Sequence, residues 1–254
     1  MGWKKQAKKV KSQSATFDLM EKRHHVIRYK PEPVPEKIMK ELLYNAWKIS
    51  PSKQNMMPYH VNVLGPNRQA EKDKIYHKVV NNHKFYNELG LSVDTEANPK
   101  MKMEYEFKKN PSYFHLKYNS YLLVYSQRVV PKPNKYYQRM VREQAHFAEQ
   151  CELDQVEATA ESTSFEIGLF ASNLTALCLE KGIDVSFTAC FSKSRKHWKD
   201  TPYAWYDKEK QLAKIHSLMS IGYGDYYRYQ WLKSRAKEGE DIKPEMKDVV
   251  KWIK

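Results

Sequence analysis

The stretch that most strongly limits the fold is FEIGLFASNLTALCLEKG, residues 165–182. It forms the second half of a predicted helix that runs from about Glu152 to Lys181, and apolar side chains occupy nearly every side of it. A helix of this kind has to be buried in a core or a subunit interface. Gly182 is typical of the residue that ends a helix. Residues 183–191 then alternate between apolar and polar, which predicts a strand with Ile183, Val185, Phe187, Ala189 and Phe191 on one face.

Working outward from this helix, the sequence predicts further elements on both sides. Residues 36–50, EKIMKELLYNAWKIS, have the spacing of an amphipathic helix that ends near Ser50-Pro51, and residues 69–90 also read as helical. A short helical turn is predicted at 17–22, and the prolines at 31, 33 and 35 indicate an extended linker. HVNVLG (60–65), NSYLLVYSQ (119–127) and IHSLMSIGYGD (215–225) predict strands, the second of them buried on both faces.

This pattern predicts an α+β fold, a sandwich in which helices flank one mostly antiparallel central sheet. Residues 1–16, rich in Lys, Ser and Gln, are predicted to be a basic, flexible N-terminal arm. Residues 17–254 contain no domain-splitting linker and no internal repeat, so we expect a single domain there. Residues 91–112 have no clear period and are predicted to be a loop.

The composition excludes several classes of protein. With 41% apolar and 29% charged residues in 254, the chain can build a core. It has no run of about 20 apolar residues, so we expect no membrane partner. The 3 cysteines form neither a disulfide framework nor a CxxC metal site, and no HExxH spacing occurs. These features favour reduced thiols, a cytoplasmic protein and no metal.

The charge of the chain predicts an anionic partner but does not identify its class. Its net charge is +14, which suits nucleic acid, an acidic surface or an anionic cofactor. Neither a Walker loop nor a GxGxxG or GxSxG motif is present. With only 8 glycines, a glycine-built phosphate cradle is disfavoured, so an anion would be held by side chains and helix N-termini.

Three separated segments supply such side chains. They are RHHVIRY (23–29), SPSKQNMMPYH (50–60) and WLKSRAK (231–237). In this order they resemble the nitroreductase family of flavin enzymes. The closest match is the Pro-Ser-x-x-Asn-x-x-Pro-aromatic loop, which here reads PSKQNMMPY from Pro51 to Tyr59. Arg23 and Tyr29 match the family's N-terminal Arg and aromatic residue, although His25 stands where Ser is usual.

The downstream segments extend the resemblance. The long helix with Gly168 and Asn173 is similar to the family's dimer-core helix. Residues 188–191, TACF, lie where a backbone amide usually approaches the flavin, and SIGYGD matches the strand that ends in a Gly-aromatic turn. Lys233-Ser234-Arg235 matches a basic pair that closes on the phosphate.

The resemblance implies bound FMN at the interface of a homodimer. The flavin carries the hydride chemistry, so no catalytic side chain is expected. The implied cofactor-binding residues are Arg23, His24, His25, Pro51, Ser52, Lys53, Asn55, Ala189, Cys190, Lys233 and Arg235. A phosphate of about two negative charges suits the guanidinium and ammonium groups among them.

The function implied is a ping-pong oxidoreductase. NADH or NADPH would donate hydride, and a small-molecule acceptor such as a nitroaromatic or a quinone would be reduced. Two other readings stay open. One is a basic nucleic-acid-binding protein that uses its lysine-rich arm and its tyrosines. The joint occurrence of the flavin-enzyme motifs disfavours this interpretation. The other is a specialised flavin enzyme of the same family that does not use nicotinamide.

Overall fold

The computed structural model describes residues 15–52, 55, 57–81, 111–127, 160–189, 191, 198, 201, 215–227 and 246–250. The α-helices are α1 (Ala15–Glu21), α2 (Glu36–Ile49), α3 (Gln69–Asn81), α4 (Ala160–Glu180) and α5 (Met246–Val249). A 3-10 helix spans Pro111–Leu116. The strands are β1 (Val26–Tyr29), β2 (Tyr59–Leu64), β3 (Tyr121–Gln127), β4 (Asp184–Thr188), β5 (Ile215–Gly222) and β6 (Gly224–Tyr227).

Four of these strands form one antiparallel sheet in the order β2-β3-β5-β4. β1 and β6 form a separate antiparallel pair. The predicted α+β class with an antiparallel sheet and flanking helices is confirmed.

Both faces of the central sheet are covered, which makes the fold a sandwich. Alternate side chains of a strand point to opposite faces, and β3 shows this directly. Leu123 and Tyr125 lie in the core under α2 and α4, whereas Leu122 and Val124 lie in a second core with α3 and the 3-10 helix. The prediction that β3 is buried on both faces is therefore confirmed.

Strand β4 departs from the predicted pattern. Its apolar residues were expected to share one buried face, yet Phe187 is 36% exposed while Ser186 and Thr188 are buried. The reason is that β1 and the 3-10 helix cover the polar face. Ser186 Oγ accepts from the Val26 backbone N–H at 2.6 Å and donates to the Val26 carbonyl at 2.7 Å. These two bonds satisfy a hydroxyl that the sequence pattern assigned to solvent.

The elements that the sequence did not predict include β1 and the 3-10 helix, and several predicted segments lie outside the described residues. β1 was included in a basic site segment, and the 3-10 helix begins inside the predicted loop at 91–112. The helix predicted at 69–90 is described up to Asn81, and the one predicted from Glu152 is described from Ala160. Of the predicted arm at 1–16, residues 1–14 lie outside, whereas residues 15 and 16 begin α1. The rest of the predicted loop and the segment around Lys233 also lie outside. Within the described part of the chain, no helix is both long enough and apolar enough to cross a membrane.

Candidate functional site

The strand register places two of the predicted site segments at one end of the central sheet. At this end Tyr59 pairs with Gln127, Ser126 with Ile215 and Thr188 with Leu218. The start of β2 and the end of β4 therefore lie at the same end of the sheet, at its two opposite edges. Residues 50–58, hereafter the 50–58 loop, precede β2 directly, and Ala189 follows β4 directly.

β1 brings the segment at 23–29 toward the same end. The His25 ring lies edge-on to the ring of His115, with 5.2 Å between their centroids. His115 Nε2 lies 2.9 Å from Thr188 Oγ1, at the end of β4. Arg23 and His24 immediately precede this contact. The described residues of the three predicted groups thus lie toward the same end of the sheet, spread between its two opposite edges: Arg23, His24, His25, Pro51, Ser52, Asn55 and Ala189. Lys53, Cys190, Lys233 and Arg235 lie outside the described residues.

The basic residues of the first segment differ in their availability. Arg23 is exposed, and its guanidinium forms no ion pair with any described residue. Arg28 instead binds Asp225, with 2.6 Å between Nε and Oδ2. Arg23 therefore keeps its charge available to an anion, whereas the charge of Arg28 is neutralised by its partner.

The 50–58 loop begins at a defined helix end. Ser50 is the C-cap of α2, and its backbone N–H and its hydroxyl both bond to the Ala46 carbonyl, at 3.0 and 2.6 Å. Pro51 cannot extend the helix, so the chain leaves α2 at this point. Asn55 and Met57 both have positive φ, 54° and 47°. Asn tolerates this left-handed region, while Met adopts it only when its surroundings hold it there.

Ser52 makes two hydrogen bonds that define its chemistry. Its hydroxyl donates to Glu166 Oε2 at 2.6 Å and accepts from the Met57 backbone N–H at 2.8 Å. A serine hydroxyl has one proton, and here that proton goes to Glu166. Ser52 therefore has acceptor capacity left for a ligand and no donor. Asn55 is exposed, and its side-chain amide donates to no other described residue, so it is available as a donor.

Two buried residues that support the site were missed by sequence reasoning. One is Glu166, 6% exposed on α4. Its signal was a carboxyl group between Phe165 and Ile167, in the first turn of an apolar stretch. The other is His115, whose Nδ1 lies 2.6 Å from Ser220 Oγ. Burial, and to a smaller degree the charge of His25, lowers the pKa of His115 well below its usual value. The ring is therefore neutral and can donate to one hydroxyl while accepting from the other.

The residues present fit a flavin phosphate and its polar chain. Arg23 is an exposed guanidinium with no ion pair among the described residues, which suits an anion. The 50–58 loop, toward the same end of the sheet, carries an exposed amide at Asn55 and an acceptor at Ser52, which suits neighbouring hydroxyl groups.

Comparisons with known proteins agree on the fold. No protein-family model matches the sequence, and no curated protein matches it. Among solved structures, a proposed NAD(P)H:FMN oxidoreductase from Staphylococcus epidermidis is similar over 94% of this chain and 96% of its own, with a TM-score of 0.59 and 16% identity. A proposed nitroreductase in complex with FMN from Exiguobacterium sibiricum matches over 96% and 99%, with a TM-score of 0.56 and 14% identity.

A third solved structure is an FMN-dependent nitroreductase from Mycobacterium smegmatis in complex with NADPH. It covers 94% of this chain and 98% of its own, with a TM-score of 0.52 and 16% identity. Because the similarity extends over nearly the whole length of all three proteins, the chain has the fold of the nitroreductase-like FMN proteins.

Proposed function

We propose that this protein is an FMN-dependent oxidoreductase. In this proposal NADH or NADPH donates hydride and leaves, and an acceptor such as a nitroaromatic or a quinone then takes its place. The observation that carries the proposal is that Arg23, the 50–58 loop and Ala189 lie toward the same end of the central sheet. Support comes from structural neighbours, one solved with FMN and one with NADPH.

The chain's own residues would bind and orient the cofactor. Arg23 would form charge-assisted hydrogen bonds to the phosphate, joined by Lys233 and Arg235 from outside the described residues. Ser52 and Asn55 would contact the ribityl hydroxyls and the ring edge, and the backbone after β4, at Ala189 and Cys190, would approach the ring. His24, His25, Pro51 and Lys53 complete the proposed binding set. Bound FMN would supply the hydride and electron transfer.

We propose further that the protein is a homodimer with the flavin between its subunits. Large apolar side chains are exposed on two helices that pack together. Phe165 of α4 is 69% exposed, and Tyr44, Trp47 and Ile49 of α2 are 54–57% exposed. Such side chains in proximity are typical of an interface. Gly168, three residues after Phe165, has nothing within 4 Å of its Cβ position, so another helix could approach closely there.

A cytoplasmic location also belongs to the proposal. Among the described residues, Cys178 is a buried cysteine that forms no disulfide. Burial raises its pKa to about 12, with a smaller contribution from Asp184. It is therefore an inert thiol packed in the core, which suits a reducing compartment.

The experiment that tests the enzymatic part is anaerobic reduction. Protein loaded with FMN is mixed with NADH or NADPH, and the loss of the oxidised flavin absorbance is followed. We expect one nicotinamide to bleach the flavin, and a nitroaromatic or quinone to restore it. If neither nicotinamide reduces the bound flavin while dithionite does, the nicotinamide-dependent function is wrong and the specialised flavin reading replaces it.

A further inference from the structure

The 50–58 loop is attached to α4 by two hydrogen bonds that no motif predicted. Ser52 Oγ donates to Glu166 Oε2 at 2.6 Å, and Asn173 Nδ2 donates to Ser50 Oγ at 3.0 Å. Glu166 and Asn173 are seven residues apart, about two turns of helix, so they lie on the same side of α4. The helix therefore holds the loop at two points.

Glu166 is an unusual residue for its position. It is 6% exposed, and the core residues Ile167 and Phe170 are its neighbours on α4. Burying a carboxylate is unfavourable unless hydrogen bonds compensate. Burial, with a further contribution from Glu166, raises the pKa of Tyr59 to about 12. Glu166 is a buried carboxyl group that accepts a hydrogen bond from a residue of the candidate site, and this contact indicates a role in holding that site.

Through its contact with Ser52, Glu166 also restrains Met57, the residue of the loop whose backbone is strained. Met57 has a φ of 47°, a region that a side chain with a Cβ rarely adopts. Its backbone N–H donates to Ser52 Oγ at 2.8 Å, and its Sδ accepts from Tyr59 Oη at 3.2 Å. With its proton committed to Glu166, the Ser52 hydroxyl must present a lone pair to Met57. Strained backbone that is held by specific contacts is typical of ligand-binding segments.

We propose that Glu166 is a positioning residue that fixes the 50–58 loop, through Ser52, in the backbone conformation required to bind FMN. The inference rests on the proposed function. It assigns no chemistry to Glu166, which acts through Ser52 and Met57. Without the carboxylate, the Ser52 hydroxyl is free to rotate, the Met57 amide loses its fixed acceptor, and the loop relaxes toward ordinary backbone angles.

The test is a titration of FMN into the cofactor-free full-length protein, followed by flavin fluorescence. We expect Glu166→Ala to raise the Kd for FMN about 10- to 100-fold, the range for losing a hydrogen bond to a charged group. Glu166→Gln keeps an acceptor for Ser52, so its loss should be smaller, about 5-fold, because neutral hydrogen bonds are weaker. Glu180→Ala is the matched control, since it removes an exposed carboxylate from the same helix, and its Kd should equal that of the wild type.

A double-mutant cycle separates positioning from general destabilisation. If Glu166 acts through Ser52, the variant with both Ser52→Ala and Glu166→Ala should bind FMN no more weakly than the weaker single variant. Additive losses, or an unchanged Kd in both Glu166 variants, would overturn the proposal while leaving FMN binding by the wild type intact. If the wild type itself does not bind FMN, the proposed function fails and the positioning role with it.

Discussion

His115 shows how a single buried residue holds the segment that carries Arg23. Its two ring nitrogens lie 2.6 Å from Ser220 Oγ and 2.9 Å from Thr188 Oγ1, and its ring contacts His25. Each hydroxyl can donate or accept, so a neutral imidazole satisfies both contacts in either tautomer. A protonated ring would have to bear its charge away from water and close to a second histidine.

This arrangement predicts a pH dependence of stability. The pKa of His115 is lowered in the folded state, so below the unfolded value of about 6.5 the unfolded chain binds more protons than the folded one. Stability should therefore fall as the pH drops below about 6.5, by up to about 1.4 kcal/mol per pH unit from this residue. Urea unfolding of wild type and His115→Gln between pH 7 and about 5 measures it. The variant should lose less stability on acidification than the wild type, whatever its stability at pH 7.

Replacement of the exposed His24 by Gln is the matched control for the same experiment. If the His115→Gln variant shows the same slope of stability against pH as the wild type, His115 is not the residue that titrates.

Asn55 combines a backbone role and a side-chain role, and two substitutions separate them. Its φ of 54° suits Asn or Gly, whereas Ala in this region is disfavoured by about 1–2 kcal/mol. Asn55→Ala should lower both the free energy of unfolding and the affinity for FMN. Asn55→Gly keeps the backbone and removes the amide, so it should retain stability and still lose FMN affinity by about 1 kcal/mol. Wild-type affinity in Asn55→Gly would show that the amide does not contact the flavin.

At the scale of elements, apolar periodicity predicted the helices and strands whose own apolar residues face the core. α2, β3 and β5 follow their apolar spacing closely, and Gly182 ends α4 with a φ of 67°. β1 was missed because RHHVIRY has little alternation, and its ordering depends on β6: Arg28 meets Asp225, 197 positions later. A single sequence does not show such a pairing. The prediction of which face of β4 is buried was wrong for the same reason, because the residues that cover its polar face come from β1.

The junction of β5 and β6 depends on a glycine. A Cβ on Gly222 would lie 2.8 Å from Tyr29 Cδ1 and 3.3 Å from Ser120 Oγ. Tyr29 is buried and donates to the Ser220 carbonyl at 2.9 Å, so it cannot easily move away. Gly222→Ala should destabilise the protein by about 1–3 kcal/mol, as overpacking does.

Gly65→Ala is the matched control for this substitution. The contacts of its added Cβ, at 3.4 Å or more, are ordinary. Thermal unfolding of both variants provides the comparison, and equal melting temperatures would contradict the assigned packing of Tyr29 against Gly222.

At the scale of the whole molecule, the fold brings segments that are distant in sequence toward the same end of the central sheet. The net charge of +14 left several classes of partner open. The resemblance of the joint motifs to flavin enzymes is what favours a flavin among them, and this choice belongs to the proposed function. Glu166 escaped prediction because its partner, Ser52, lies 114 positions away. Its role arises only when α4 packs against the 50–58 loop.

The proposed dimer makes Phe165 a test residue. In a single chain Phe165 is 69% exposed, so Phe165→Ser should leave the stability of a monomer within about 0.5 kcal/mol. In a dimer that buries this side chain, the same change should weaken association by about 2–4 kcal/mol. Sedimentation of both proteins over a range of concentrations measures the association. A wild type that is monomeric at all concentrations, and still holds one FMN per chain, would contradict the shared site.

The absorption spectrum of the purified full-length protein tests the central claim most directly. If the site at the end of the sheet holds FMN, the protein is yellow or becomes so when FMN is added and the excess removed. Denaturation then releases FMN in a ratio of about one per chain, and Arg23→Ala lowers that ratio because the phosphate loses a charged partner. A colourless protein that takes up no FMN, with a folded circular dichroism spectrum, would contradict the account.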